Sequence, residues 1–332
     1  MFLEGVGSLG GNTLLGYLTR DAQGRASRGP VTLLLNDESR FRQTLVGDAL
    51  WSGSGLLGAV PVGGITWQSN YAFNPGLVTT PTLDLRGVAA TPSTVDVLVN
   101  GALLARRQVP AGPFELGNIV AQAGSNNVTA VVRDAFGRET QLGSSGFYGS
   151  PLLLQPGLTT YSVSAGRLRE DRAGMDPAYR SAALLGQALH GITANFSAGV
   201  AAQAAGSTKV VAAQAATTNV AGEFAGQLAH GRDAQSAGLA LALSYRLSRS
   251  TWSLSLATVR RQREFRELAF SPFGGQVLRS DDLALGRNLL GVDWSLRLAT
   301  RYSAAGDHLR RVGLSASRRL QSTPSKLRPR AR

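Results

Sequence analysis

The chain has 332 residues, no cysteine and a formal net charge of +13. Without cysteine it has neither a disulfide framework nor a thiolate metal site. No run approaches the ~18 apolar residues that a membrane-crossing helix needs.

The charge is unevenly placed. Lys209 and Lys326 are the only lysines, so arginine carries nearly all of it. Residues 82–147 hold five arginines and five acidic residues, whereas from Asp307 onward eight basic residues face one acid. The last stretch, 321–332, lacks apolar periodicity and reads as a basic disordered tail. The arginines lack interleaved aromatics, so no nucleic-acid partner is expected.

In chain order, the first residues, Met1-Phe2-Leu3-Glu4-Gly5, lack the basic and apolar regions of a secretion leader. Gly5-Val6-Gly7-Ser8-Leu9-Gly10 has GxGxxG spacing but follows no strand, so a glycine-rich turn explains it better than a dinucleotide loop. Glycine-rich, alternating runs follow. Ile65, Trp67, Tyr71 and Phe73 share one face; Thr66, Gln68, Asn70 and Ala72 share the other. Asn74-Pro75-Gly76 breaks the run.

The central stretch reads as hairpins. Val95, Val97 and Val99 alternate with Thr94, Asp96 and Leu98, the period of a half-buried strand. Asn100-Gly101 tolerate the positive φ of a type I′ turn. Residues 102–109 return as the partner strand. Pro110-Ala111-Gly112-Pro113 denies further ladder bonding and is expected to end the hairpin, after which Phe114 and Leu116 resume an apolar face. Val128, Ala130 and Val132 begin a second hairpin that turns at Asp134-Ala135-Phe136-Gly137. Residues 82–147 thus read as a small all-β sandwich.

Alternation then persists. Leu239, Leu241, Leu243, Tyr245 and Leu247 oppose Ala240, Ala242, Ser244 and Arg246. Trp252, Leu254 and Leu256 oppose Ser253, Ser255 and Ala257. Val292, Trp294, Leu296, Leu298 and Tyr302 oppose Asp293, Ser295, Arg297 and Arg301. Strands with one apolar and one polar or small face fit either a soluble sandwich or a transmembrane antiparallel β-barrel. Tyr245 and Trp252 flank a turn as an interfacial girdle would, and arginines on the polar faces would not sit unpaired in a dry core. Both features favour the barrel. Roughly ten-residue spacing allows four to six such segments before the sandwich and eight to ten after it.

Other chemistry is not indicated. His190, His230 and His308 lack metal-ligand spacing, and no nucleophile elbow, phosphate loop or carboxylate pair stands out. No catalytic residue, metal or cofactor is expected, and no small-molecule substrate.

Three stretches carry a resemblance to a known family. They are residues 63–81 (GGITWQSNYAFNPGLVTTP), residues 92–101 (PSTVDVLVNG) with 109–114 (VPAGPF), and residues 147–167 (FYGSPLLLQPGLTTYSVSAGR). In order and spacing they resemble the plug region of outer-membrane fimbrial ushers, over residues 46–169. The resemblance implies barrel strands at 1–80, a β-sandwich plug at 81–148, further barrel strands at 149–320, and the tail at 321–332. It implies a plug whose turns and core are Val95, Val97, Val99, Asn100, Gly101, Pro110, Gly112, Pro113 and Phe114. The plug connectors would be Asn74, Pro75, Gly76 and Pro81 on one side, and Phe147, Tyr148, Pro151, Pro156 and Gly157 on the other. Such a pore lies in the cell outer membrane, holds its plug in the lumen at rest, and assembles and secretes pilus subunits. Its partners are periplasmic chaperone–pilin subunit complexes and outer-membrane lipid. Ushers close with roughly two dozen strands, so the resemblance covers an incomplete barrel, and together with the missing leader this leads to the expectation of a fragment or mis-started frame. The competing expectation is a soluble or surface-attached β-sandwich binding module.

Overall fold

A computed structural model describes residues 2–20, 24–120, 123–172, 175–249, 251–268, 276–290 and 292–318; the tail expected at 321–332 lies outside the described residues. The chain is all-β. Five strands come first: β1 (Phe2–Leu9), β2 (Asn12–Arg20), β3 (Ala26–Asp37), β4 (Arg42–Ser52) and β5 (Ala59–Ser69). The GxGxxG spacing falls on β1 and the first residue of the Gly10–Gly11 turn, so it opens a hairpin and not a helix.

Six strands follow as an insertion: β6 (Leu83–Ala89), β7 (Ser93–Val99), β8 (Ala102–Val109), β9 (Gly112–Ile119), β10 (Gly124–Asp134) and β11 (Glu139–Gly149). Ten more complete the described chain: β12 (Thr159–Arg172), β13 (Met175–Thr193), β14 (Phe196–Ala205), β15 (Thr208–Asn219), β16 (Gly222–Arg232), β17 (Ala237–Ser248), β18 (Trp252–Arg261), β19 (Val277–Leu289), β20 (Val292–Ser303) and β21 (His308–Ser317).

β1–β5 and β12–β21 form one 15-stranded antiparallel sheet in chain order, with β5 paired directly to β12. The sheet is open, with β1 and β21 at its edges. Its two rims differ. On the rim where β5 ends, the links after β13, β15 and β17 are two or three residues long; the opposite rim carries the longer links 53–58 and 262–276.

Residues opposite one another across an antiparallel ladder share a face, so the register sorts the side chains into rows. One row runs Phe196, Thr217, Phe224, Tyr245, Leu256, Leu283, Leu298, Val312 across eight strands. This face is apolar yet exposed: Leu184 is 59% accessible, Val200 62% and Leu228 53%. Such an exposed apolar surface marks an interaction with lipid or protein. Aromatic residues concentrate along it near the short-turn rim, where Trp67 packs on Tyr161 with ring centroids 4.8 Å apart and Phe224 on Tyr245 at 4.7 Å. From Trp294 to Tyr302 the face spans eight residues, ~27 Å of strand and ~20 Å of height at the usual barrel tilt, close to the ~25 Å apolar band of outer-membrane barrels.

From β5 to β16 the opposite face is small, polar and mostly buried. Thr66, Ser164, Leu185, Gln203 and Val210 form one row across it. Two segments of the long-loop rim, residues 53–58 and 262–268, fold back over this face. Leu56 and Leu57 come from one and Phe265 from the other; they pack with Trp51, Val62, Leu185 and Val210 in a common core. Burying each such side chain stabilises by roughly 1.5–3 kcal/mol. The second link lies close because β16 and β17 carry glycine beneath it: a Cβ on Gly231 would stand 2.1 Å from the Arg266 carbonyl oxygen, and one on Gly238 2.5 Å from the Phe265 nitrogen.

The insertion is a sandwich of a four-stranded sheet, ordered β11-β10-β7-β8, and the two-stranded sheet β6-β9. β7 alternates strictly, every second residue buried from Ser93 to Val99. The proline segment behaves differently from the sequence expectation. Pro110 does follow the last residue of β8, but Gly112 and Pro113 open β9 and pair with Ala89 and Val88. Proline is tolerated there because it sits at a strand start in a two-stranded sheet, where an N–H can be spared.

Candidate functional site

The sandwich and its seat on the large sheet form the candidate site. Val95 packs with Phe114, Val109, Ala130 and Val132; Val97 and Val99 pack with Ile119 and Val128. Leu85 and Leu116 touch both clusters, so the two sheets share one continuous interior. Asn100 and Gly101 carry φ of 52° and 82°, the left-handed conformations of a type I′ turn. Asn100 also ties the turn to β10: its Oδ1 accepts from the Asn127 N–H at 2.9 Å and its Nδ2 donates to Asn126 Oδ1 at 3.1 Å. Sequence reasoning recognised the turn but not this second role.

The sandwich surface is held by cross-strand ion pairs. Arg106 grips Asp96 with two parallel hydrogen bonds, 2.5 Å and 2.8 Å, and so holds its carboxyl below the usual carboxylate range. The pair is exposed, and its worth lies in register more than in stability.

Two connectors leave the large sheet side by side. In the first, Asn74 Oδ1 accepts from the Gly76 N–H at 3.0 Å, closing an Asx turn around Pro75, and Pro81 is buried where the sandwich begins. In the second, Pro151 and Pro156 are exposed and Gly157 turns at φ 84°. The Gln155 N–H donates to the Thr79 carbonyl at 2.8 Å, joining the two. Phe147 and Tyr148, placed in a connector by sequence, belong to β11 and pair with Asn126 and Ser125. The second connector therefore starts at Ser150.

The sandwich meets the large sheet at the short-turn rim of β15–β17. Tyr148 donates its hydroxyl to the Arg246 carbonyl at 3.0 Å. Ser150 donates to the buried carboxylate of Glu223, which also accepts from Arg246 Nη1 at 3.1 Å. Arg249 Nη1 donates to Ser125 Oγ, and its Nη2 to the Val220 carbonyl at 2.7 Å. Burial, aided by the nearby Glu223 charge, pushes the Tyr148 phenol above its ordinary value, so it remains a hydrogen-bond donor through the neutral range.

A glutamine set lines the buried face beside this seat. Gln214 accepts from Ser54 Oγ at 2.6 Å, Gln227 Nε2 donates to the Ser54 carbonyl at 3.0 Å, and Gln227 Oε1 accepts the Leu56 N–H. Gln187 Nε2 donates to the Ser52 carbonyl at 2.8 Å. The 53–58 link is thereby fastened to strands more than 130 residues away. None of these glutamines was singled out from sequence; the signal available was their common parity with the buried alanines of β15 and β16. Arginine, expected to line the polar face, is represented on β17 by Arg246 at the rim. Among the described residues no group of three or more histidine, aspartate or glutamate side chains could hold a metal, and His190, His230 and His308 lie on three separate strands.

The arrangement is a packed body on two adjoining connectors, hydrogen-bonded to one rim of an amphipathic sheet.

Comparison with known proteins places this architecture. Residues 42–270 match the family model described as outer membrane usher protein. The outer membrane usher protein FimD of Escherichia coli (strain K12) is 30% identical over 112 residues, covering 34% of this chain and 12% of that protein. The outer membrane usher protein FimC of Bordetella pertussis is 30% identical over 151 residues, covering 45% and 17%. The F1 capsule-anchoring protein of Yersinia pestis is 28% identical over 119 residues, covering 36% and 14%. The matched part of the chain thus spans less than a fifth of each of these relatives. Among solved structures, the P pilus usher (PapC) translocation pore superposes with a TM-score of 0.57 at 17% identity, over 96% of this chain and 69% of that one. A cryo-EM structure of the E. coli P pilus tip assembly intermediate PapC-PapD-PapK-PapG superposes with a TM-score of 0.66 at 17% identity, over 96% and 43%. The family match extends over more than half of the residues and contains the whole insertion and its seat, and on it the chain belongs to the outer membrane usher protein family.

Proposed function

We propose that the chain forms the plug-bearing part of an outer-membrane pore through which chaperone-bound pilus subunits are assembled and secreted, without enzymatic chemistry. The observation that carries this reading is the insertion of a self-contained sandwich between two adjacent strands, β5 and β12, of a sheet whose outer face is apolar and exposed. A sandwich hung in this way occludes or clears a lumen by moving as one body on its two connectors. Residues 82–149 act as the plug, and residues 70–81 and 150–158 act as its hinges. The partners are periplasmic chaperone–pilin complexes on one side and outer-membrane lipid around the sheet. An open sheet edge is not tolerated in lipid, so the 15 described strands work as part of a larger closed barrel.

A soluble binding module fits less well, because it would need a covering for the apolar rows that run through Leu184, Val200 and Leu228. The test is a chimaera in which residues 42–270 replace the matching segment of a complete usher in an usher-null strain. Surface pili are the expected result. A chimaera that inserts and recruits chaperone–subunit complexes yet never yields pili would refute the reading.

A further inference from the structure

The apolar outer face is not uniform. Across β14–β20 it is hollowed into a groove of about 660 Å³. Small residues, Ala215 and Gly226, make its floor; Phe224 and Tyr245 close it toward the short-turn rim, and Leu256 and Leu283 wall it. At its other end the lining turns polar, at Thr258 and Asp281.

One row further, the same face carries charge. Arg260 pairs with Leu241 and with Arg279, and Arg279 pairs with Tyr302, so both arginines share the outer face. Asp281 accepts from Thr258 Oγ1 at 2.8 Å, from Arg260 Nη1 at 2.7 Å and from Arg279 Nε at 2.7 Å. One carboxylate therefore faces two guanidiniums, each with five N–H donors, and both arginine side chains are about half accessible. Arg310 adds a third positive charge beside them, opposite Thr300.

Charge on a lipid-facing surface is costly at mid-membrane and tolerated at the interface. Tyr302 marks this level as an interface. Its ring lies 5.7 Å from the Arg279 guanidinium and stacks on His308 at 4.4 Å, eight residues from the aromatic Trp294 near the other rim. An apolar groove that ends in a net positive cluster at interfacial depth has the polarity of a single amphiphile.

We propose that this face holds an anionic, phosphate-bearing lipid of the leaflet on the long-loop side. Its acyl chain lies in the groove over Gly226, and its phosphate is gripped by Arg260 and Arg279, whose planar forks match phosphate oxygens. Asp281 competes with the phosphate for the same guanidiniums and sets the strength of binding. The membrane setting rests on the family reading; the lipid's charge and position rest on the groove and the arginines.

The test uses the 332-residue chain in dodecyl maltoside micelles, titrated with dioleoyl phosphatidylglycerol or dioleoyl phosphatidylcholine and read by native mass spectrometry. Phosphatidylglycerol is expected to bind more tightly than phosphatidylcholine. R260Q/R279Q should weaken phosphatidylglycerol about tenfold, the size of one lost charge-assisted hydrogen bond. R297Q/R301Q, which removes equal charge from the opposite face, should not. D281N should bind more tightly than the parent, and this holds the test open should R260Q/R279Q fail to fold. Equal binding of the two lipids, equal loss in the control variant, or D281N binding no tighter than the parent would overturn the proposal. So would a dimer that R260Q/R279Q dissociates, since the face would then be covered by a second copy. A parent chain that stays monomeric in buffer without detergent would instead defeat the membrane reading itself.

Discussion

Tyr148, in the last strand of the sandwich, donates its hydroxyl to the backbone carbonyl of Arg246 at 3.0 Å, across 98 residues of sequence. This bond ties the inserted body to the rim of the large sheet through an acceptor that no side-chain change at Arg246 can remove. Tyr148→Phe keeps the ring and deletes only the donor. One neutral hydrogen bond contributes about 0.5–1.5 kcal/mol, so spontaneous openings of a complete usher carrying this change should rise roughly two- to tenfold. Single-channel recording reads that rise directly, and an unchanged opening frequency would remove Tyr148 from the latch.

The Asn100–Gly101 turn gives a second expectation. Asn100→Asp keeps a residue suited to positive φ but loses the Nδ2 donor to Asn126, and it sets a carboxylate oxygen against the Asn126 carbonyl oxygen. The substitution looks neutral from turn chemistry alone. With its cross-strand role in view, it should destabilise a sandwich expressed as residues 82–149 by about 1–2 kcal/mol. Asn100→Gly, which also loses the Oδ1 acceptor, should cost at least as much. Urea titration separates these outcomes from the turn-only account, in which Asn100→Asp is silent.

Gln227 holds the 53–58 link through two bonds, one to the Leu56 N–H and one from Nε2 to the Ser54 carbonyl. Gln227→Leu removes both partners and leaves the buried Leu56 N–H unsatisfied, at about 1–3 kcal/mol, while the half-buried Ser54 carbonyl keeps the Leu57 N–H at 3.1 Å. The expected result is rapid amide exchange at Leu56 and Leu57, with the neighbouring β14–β15 ladder still protected. Exchange that stays slow at both residues would show that the apolar packing of Leu56 and Leu57 suffices.

One turn is sensitive to acid. Asp233, between β16 and β17, accepts from the backbone N–H groups of Gln235 and Ser236 and from Arg266, which hold its carboxyl down at about 2 against an ordinary 3.8. Because the folded value lies below the unfolded one, its stabilisation is fully present above about 4 and fades as pH falls through 3.8 toward about 2. Asp233→Asn should flatten that acid limb by lowering stability in the neutral region, while leaving it almost unchanged near pH 2. A limb equally steep in parent and variant would assign the acid sensitivity to other carboxylates.

Sequence legibility followed contrast. The rows through Leu239, Leu241, Leu243 and Tyr245 could be read because large apolar and small polar residues alternate with the strand period. β14–β16 were harder, since runs such as Val200–Ala205 place alanine on both faces and carry no amphipathic contrast. The sandwich was legible through Val95, Val97, Val99 and the Asn100–Gly101 turn, all local signals. Its seat was not, nor was the hold on the 53–58 link: Tyr148 to Arg246 and Ser150 to Glu223 join residues 98 and 73 apart, Ser54 to Gln214 residues 160 apart, and only the register of the folded sheet brings them together. Pro113 was misjudged because proline reads as a strand breaker unless the strand's place at the edge of a two-stranded sheet is known.

The most direct test of the central claim removes the inserted body. In a complete usher carrying residues 42–270, residues 82–149 are replaced by a short Gly/Ser linker and the barrel is placed in a planar bilayer. A sandwich of this length spans ~25–30 Å, enough to fill much of a large barrel lumen, so its loss should give a large and persistent rise in conductance. A deletion barrel that inserts normally but conducts no more than its parent would contradict the account, because the sandwich would then gate nothing.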